Sequence, residues 1–195
     1  ACARFGLRPA ALRPSYGMAE SVLMASSGKA EVGGGAELPL ILSVRQSSMR
    51  RGETVEFAAP SEAEAIELVG NGHAVDGALV VAVDCGLPVP EGRVGELWVS
   101  SPSLALGYWK DDASTHRSFR HSLGSFSNDR SGWHRTGDVG FLMFGQVFVC
   151  GRLKEVMIFG GRNVYPADVE ACAEVACPAL RPGRVAAFSV EDERG

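Results

Sequence analysis

With 195 residues, 46% of them hydrophobic and 22% charged, the chain has the make-up of a globular protein forming one large domain or parts of two, not of a disordered one. A formal net charge of −4 with no stripe of Lys and Arg argues against a nucleic-acid partner. No apolar run is long enough for a membrane span. Five cysteines, Cys2, Cys85, Cys150, Cys172 and Cys177, are scattered without a Cys-x-x-Cys pair, so they read as buried thiols of a reducing, cytoplasmic compartment and not as metal ligands.

In chain order, Ala1 to Ala25 is expected to close an α/β layer, with Pro14 and Gly17 breaking the chain around Tyr16. Ser26 to Glu37 is rich in Gly and Ser and reads as a loop. Leu38 to Val44 is a strand, Arg50 to Glu53 a turn, and Thr54 to Phe57 a second short strand. Two β-rich runs follow, Ala78 to Val83 and Gly95 to Val99, separated by the Gly/Pro-rich stretch Gly86 to Gly92. Ala113 to Phe119 is a short helix and Arg120 to Gly132 a polar loop. Gly140 to Phe144 and Val147 to Val149 form a hairpin joined at Gly145-Gln146. A second hairpin spans Arg152 to Val164 and turns near Gly160-Gly161.

Pro166 then suits the first turn of a helix, where its missing N–H costs nothing, and Asp168 and Glu170 place negative charge at the helix's positive end. Val169, Cys172, Ala173 and Ala176 have the spacing of one buried helical face. Pro178 ends the helix, and Arg184 to Val190 is expected to be a strand. The fold class is α+β, mixed and β-rich, with a domain boundary near Gly151 that divides 1–150 from 151–195.

Four segments carry chemistry, and their order is informative. They are Tyr16-Gly17-Met18-Ala19-Glu20, then Gly95-Glu96-Leu97-Trp98-Val99 running on to Leu106-Gly107-Tyr108-Trp109, then Trp133-His134-Arg135-Thr136-Gly137-Asp138, and last Gly151-Arg152-Leu153-Lys154-Glu155 with Gly160 to Pro166. Together they resemble the adenylate-forming superfamily of acyl-CoA synthetases, luciferases and peptide-synthetase adenylation domains. The resemblance is nearest to the fatty acyl-AMP ligases, through Leu12 to Glu20 (with Ala19 where many relatives carry Thr), Gly161 to Pro166 and Pro178 to Gly183. Glu37 to Ala59 corresponds to an insertion those ligases carry after the Tyr-Gly motif. In the family the insertion is thought to hinder the domain movement that admits coenzyme A, so the acyl group goes to an acyl carrier protein.

The resemblance implies the C-terminal part of a large adenylation domain followed by the start of a small mobile domain. It implies ATP and Mg²⁺ as cofactors, a fatty acid as substrate and the phosphopantetheine of a carrier protein as acceptor. Tyr16 would stack on the adenine, an aromatic face against a flat heterocycle. Gly17 would let the backbone approach the nucleotide, and Met18 and Ala19 would line it. Glu20 would hold Mg²⁺, a hard cation that prefers oxygen, and is the catalytic carboxylate. Asp138 would accept hydrogen bonds from the ribose hydroxyls, Arg152 would reach the same ribose, and Lys154 falls at the hinge.

Each residue has a plainer alternative. Tyr16 could be a core aromatic, Glu20 a helix-start carboxylate, Asp138 a turn residue, and Arg152 and Lys154 a solvated charge pair. His134 is read as structural or exposed. Ser26-Ser27-Gly28-Lys29 lacks the Gly and the Ser/Thr that a phosphate loop needs. The upstream phosphate loop and the distal catalytic Lys of the family are not in this sequence, so the chain is expected to be a fragment with little or no activity alone. The alternatives for the whole protein are a long-chain acyl-CoA synthetase and a non-catalytic lipid-binding or scaffold module.

Overall fold

In a computed structural model of the chain, the described residues are 2–8, 11–29, 38–124, 132–159, 162–181 and 183–190. They separate into two compact units, Ala1–Cys150 and Gly151–Gly195.

The first unit is organised by a five-stranded antiparallel sheet. Its strands are β6 (Leu79–Asp84), β7 (Leu87–Pro88), β8 (Gly95–Ser100), β9 (His134–Met143) and β10 (Gln146–Arg152), in the order β10-β9-β8-β6-β7. The central strand β8 is buried at all six positions. Alternation of side chains across the pleat therefore feeds two cores. Val80, Ala82, Leu97, Val99 and Val147 pack with Tyr16 and Ala25 in one, while Val83, Trp98, Leu123 and Trp133 form the other. A fully buried strand needs apolar residues of both registers, which is what Leu97-Trp98-Val99 supplies.

The β9–β10 turn is made by Phe144 and Gly145, both at positive φ (53° and 71°), one residue earlier than expected. Two positive φ values suit the right-handed twist of a hairpin. The carboxylate of Glu91 accepts from both turn amides, at 3.0 Å each.

Smaller elements precede this sheet. A three-stranded sheet joins β1 (Ser15–Tyr16), β2 (Ser26–Ser27) and β5 (His73–Ala74) in the order β1-β2-β5. No α-helix forms among the described residues before Ser26, where only 3₁₀ turns at Cys2–Phe5 and Ala19–Ser21 are found. The expected loop at Ser26 to Glu37 thus begins as a strand, and positions 30–37 lie outside the described residues.

The expected insertion, Glu37 to Ala59, contains β3 (Ile41–Arg45), which pairs antiparallel with β4 (Ala65–Val69), a strand beyond its end that the sequence does not announce. Thr54 to Phe57 is not a strand. It makes only isolated bridges, Thr54 to Arg93 and Val44 to Phe57. The tip is nevertheless tied to the main sheet: the Gly52 amide donates to the Val94 carbonyl (2.8 Å), the Val55 amide to Gly92 (2.8 Å), and Arg51 pairs with Asp84 (2.9 Å). Met49, Val55 and Val94 are buried at this junction.

Helix α1 (Asp112–Ser118) starts as its sequence suggests, with Asp111 accepting from the Ser114 amide at 2.8 Å. The polar loop after it is described only to 124; the His121–Trp133 bridge closes it, and 125–131 lie outside the described residues.

In the second unit, β11 (Met157–Phe159) pairs with β12 (Arg162–Val164), and α2 (Pro166–Ala176) follows with Pro in its first turn. The expected turn at 160–161 lies outside the described residues. Two expectations fail here. Val169 and Cys172 are exposed. Arg184 to Val190 has strand composition but runs without regular structure, pairing with no strand among the described residues. The Ala187 amide instead donates to Glu170 Oε1 at 2.9 Å. Among the described residues no helix is long and apolar enough to cross a membrane.

One ion pair links the second and third motifs. Glu96, 3% exposed, accepts from Nε and Nη2 of Arg135 (3.2 and 3.0 Å), and that guanidinium lies 5.5 Å over the Trp98 ring. Removing the cation strands a buried carboxylate. Arg135→Ala is expected to lower the unfolding free energy of the full-length protein by about 1.5–3 kcal/mol in urea denaturation. An unchanged midpoint would show that Glu96 is satisfied without it.

Candidate active site

The Tyr16–Glu20 segment begins as β1 and then winds into the Ala19–Ser21 turn. Its path is irregular. Val22 has φ 64° and Leu23 φ 135°, positive values that β-branched and bulky residues rarely adopt. Strain of this kind persists only where surrounding contacts over-determine it. Here the Leu23 amide donates to the Met18 carbonyl (3.1 Å), the Ala105 amide donates to the Glu20 carbonyl (2.8 Å), and Ser103 Oγ donates to the Ser21 carbonyl (3.0 Å). Gly17 is required by this fold-back. A Cβ on Gly17 would overlap the Leu23 carbonyl. The close approach that Gly17 permits is thus first of all to the chain itself.

Tyr16 is 8% exposed, and its ring packs in the core with Ala25, Val80 and Leu97. Its hydroxyl donates to Asp138 Oδ2 at 2.7 Å. The plainer alternative, a core aromatic, describes its packing, and the aromatic face expected to receive a base is covered in this structure. Met18 packs on the edge of the same core, and Ala19 is exposed.

Asp138 is aimed by a bulge. Glu96 pairs with Val139 and Trp98 with Arg135, so Thr136, Gly137 and Asp138 together face the single residue Leu97. Bulges of this kind redirect a side chain out of the ladder. Each residue of the triplet has a part. Thr136 Oγ1 donates to the Leu97 carbonyl (2.7 Å) and accepts from the Asp138 amide (3.0 Å), replacing the lost ladder bonds. Gly137 takes φ +75°, a conformation open to glycine without penalty. Asp138 is then buried at 8% exposure against Tyr16.

Glu20 is half-buried, and its Oε1 accepts from the Tyr108 hydroxyl at 2.8 Å. Among the described residues no group of three or more His, Cys, Asp or Glu could hold a metal by itself. A single carboxylate nonetheless fits Mg²⁺, which is usually held by one or two carboxylates together with substrate phosphates.

His134, expected to be structural or exposed, is the former. It is 2% exposed, its ring lies 4.4 Å from that of Phe119, and the carboxylates of Glu20, Asp138 and Glu96 all act on it electrostatically. Burial lowers its pKa below the ordinary histidine value despite those carboxylates, so it sits neutral among them at pH 7. Tyr108 was quoted only as motif, since nothing in its sequence neighbourhood connects it to Glu20.

Arg152 and Lys154 belong to the second unit. Both are exposed, and Arg152 lies 3.9 Å from Glu155 in an ion pair.

Known proteins resolve what this geometry belongs to. No family model matches the chain. The long-chain-fatty-acid–AMP ligase FadD32 of Mycolicibacterium smegmatis is 36% identical over 95% of this chain and 30% of its own length. The chain belongs with the adenylate-forming ligases, in the fatty acyl-AMP ligase family. The medium-chain-fatty-acid–[acyl-carrier-protein] ligase JamA of Moorena producens is 33% identical over 96% of the chain and 31% of its own. A crystal structure of the fatty acyl-adenylate ligase of L. pneumophila, in complex with acyl adenylate and pyrophosphate, matches at a TM-score of 0.69. It is 30% identical and covers 100% of this chain and 32% of that one. The chain thus spans about 30% of the length of these relatives, and its β-rich fold is part of theirs.

Because Gly17 faces backbone, Gly17→Ala is expected to displace the Ala19–Ser21 turn and destabilise the protein by about 1–3 kcal/mol. Thermal unfolding of the full-length variant checks this, and a wild-type midpoint would mean that the turn can move aside freely.

Proposed function

We propose that the full-length protein activates a fatty acid with ATP, giving acyl-AMP and pyrophosphate, and passes the acyl group to the phosphopantetheine thiol of an acyl carrier protein. The observation that carries this reading is the pair of carboxylates, Glu20 and Asp138, each held by a tyrosine hydroxyl on the irregular backbone that the family motifs encode.

In the first half-reaction a fatty-acid carboxylate oxygen attacks the α-phosphorus, and the bond to the pyrophosphate oxygen breaks. Two anions must meet, so the barrier is one of charge and alignment. Mg²⁺, when bound, neutralises phosphate charge. Glu20 is assigned to hold it, and Asp138 to accept hydrogen bonds from the ribose hydroxyls, which fixes the nucleotide's rotation. Tyr16, Gly17, Met18 and Ala19 are assigned to the adenine side. Stacking there needs one face of the Tyr16 ring uncovered, so its first role is to orient Asp138. Arg152 and Lys154 keep the parts the resemblance implies, a second ribose contact and the hinge. In the second half-reaction a thiol displaces AMP from the acyl carbon, forming a thioester.

A carrier protein as acceptor is supported by the similarity to JamA and by the expected insertion, whose tip is bonded into the Gly92–Val94 edge of the main sheet. A cytoplasmic location agrees with the scattered free thiols Cys85, Cys150, Cys172 and Cys177, although Cys85, Cys172 and Cys177 are exposed and not buried as expected.

The test uses the full-length protein with ATP, Mg²⁺ and fatty acids of several lengths, with coenzyme A and a phosphopantetheinylated carrier protein as rival acceptors. Acyl-AMP with transfer to the carrier alone is the expected result. Efficient acyl-CoA formation would move the protein to the synthetases, and no adenylate at all would overturn the reading.

A further inference from the structure

We propose that Tyr108 is a positioning residue that holds the Glu20 carboxylate in its metal-binding orientation. The inference rests on the reading of Glu20 as the carboxylate that faces the metal–nucleotide complex, and it assigns a part to a residue 88 positions away from it in the chain.

The two partners are anchored unequally. Glu20 has a flexible side chain beside a strained turn, and ordering such a side chain costs rotamer entropy. Tyr108 is fixed from several directions. Its amide donates to Thr115 Oγ1 (2.9 Å), and that hydroxyl in turn donates to the Asp111 carbonyl (2.8 Å). The Asp111 amide returns to the Tyr108 carbonyl at 3.3 Å while the Asp111 side chain caps α1. The Tyr108 ring stands edge-on to Phe119 with centroids 5.3 Å apart, and Phe119 is 4% exposed. The phenol oxygen is therefore a fixed point. Its hydrogen bond to Oε1, 2.8 Å long, transfers that fixity to Glu20.

A carboxylate has about four acceptor sites, so one phenol donor does not saturate it. Donors to a ligating carboxylate orient it, and their loss commonly weakens metal affinity by about 10–100-fold. Tyr108 is itself 38% exposed, so loss of the hydroxyl admits water and does not open a dry cavity. Tyr108→Phe keeps the ring contact with Phe119 and removes the hydroxyl, which also meets the Ser118 side chain.

The experiment measures Mn²⁺ affinity by electron paramagnetic resonance in the full-length protein with a non-hydrolysable ATP analogue, for wild type, Tyr108→Phe, Glu20→Gln and the double variant. Tyr108→Phe is expected to weaken Mn²⁺ binding about 10-fold with an unchanged thermal midpoint. In the Glu20→Gln background the same change should add no further loss. Wild-type affinity in Tyr108→Phe, or an equal loss in both backgrounds, would overturn the positioning role while leaving the proposed function standing. Wild-type affinity in Glu20→Gln would instead remove the metal reading of Glu20 on which the inference rests, and the inference with it.

Discussion

The hydroxyl of Tyr16 donates to Asp138 across 122 residues of chain, at 2.7 Å and out of water. A buried carboxylate without a donor is costly, and a buried phenol without an acceptor nearly as much so. Each group therefore makes the other tolerable. The consequence is geometric. The Tyr16 ring is locked into the core that also contains Leu97 and Val147, so Asp138 is referenced to the rigid centre of the sheet and not to its own loop. The segment that leads to Glu20 starts from the same ring.

Around that bond the molecule places the Asp138 and Glu20 carboxylates on irregular backbone and their support on regular backbone. Asp138 leaves β9 through a bulge that Thr136 closes with two side-chain bonds. Glu20 lies on a turn with two strained positions next to it, and a residue on the flank of a capped helix holds its side chain. The pairing of Glu96 with Arg135 stitches the strands beneath. Sites on rigid elements hold geometry better than sites on loops. Here the loops are short and bonded at both ends, which achieves the same result. His134, packed against Phe119 beneath them, stays neutral because burial lowers its pKa despite the nearby carboxylates of Glu20, Asp138 and Glu96.

Much of this was legible in the sequence because it is written locally. The strands β6 and β8 show as runs of β-formers, the β9–β10 hairpin shows through its Gly, and α2 shows through Pro166 and its acidic first turn. The residues proposed for the nucleotide were named through the resemblance of four ordered motifs, and the structure brings two of them, Tyr16 and Asp138, together. What stayed hidden depends on distant partners. The burial of Tyr16 follows from Leu97 and Val80, far along the chain. Tyr108 and His134 acquire meaning only when β9 and α1 come together beside Glu20. β4, in Ala65–Val69, carries Glu67 within a short apolar run and becomes a strand only by pairing with β3. The converse failure has the same cause. Arg184 to Val190 has the composition of a strand and pairs with none among the described residues, and Val169 and Cys172 have the spacing of a buried face and are exposed.

The account stands or falls on whether the Tyr16–Asp138 bond holds the site together. A double-mutant cycle measures this directly, using urea unfolding of the full-length protein for wild type, Tyr16→Phe, Asp138→Ala and the double variant. The bond joins a neutral donor to a buried charged acceptor, so the predicted coupling is about 1.5–3 kcal/mol. Strict additivity of the two single changes would contradict the account, because Tyr16 and Asp138 would then be neighbours without being partners.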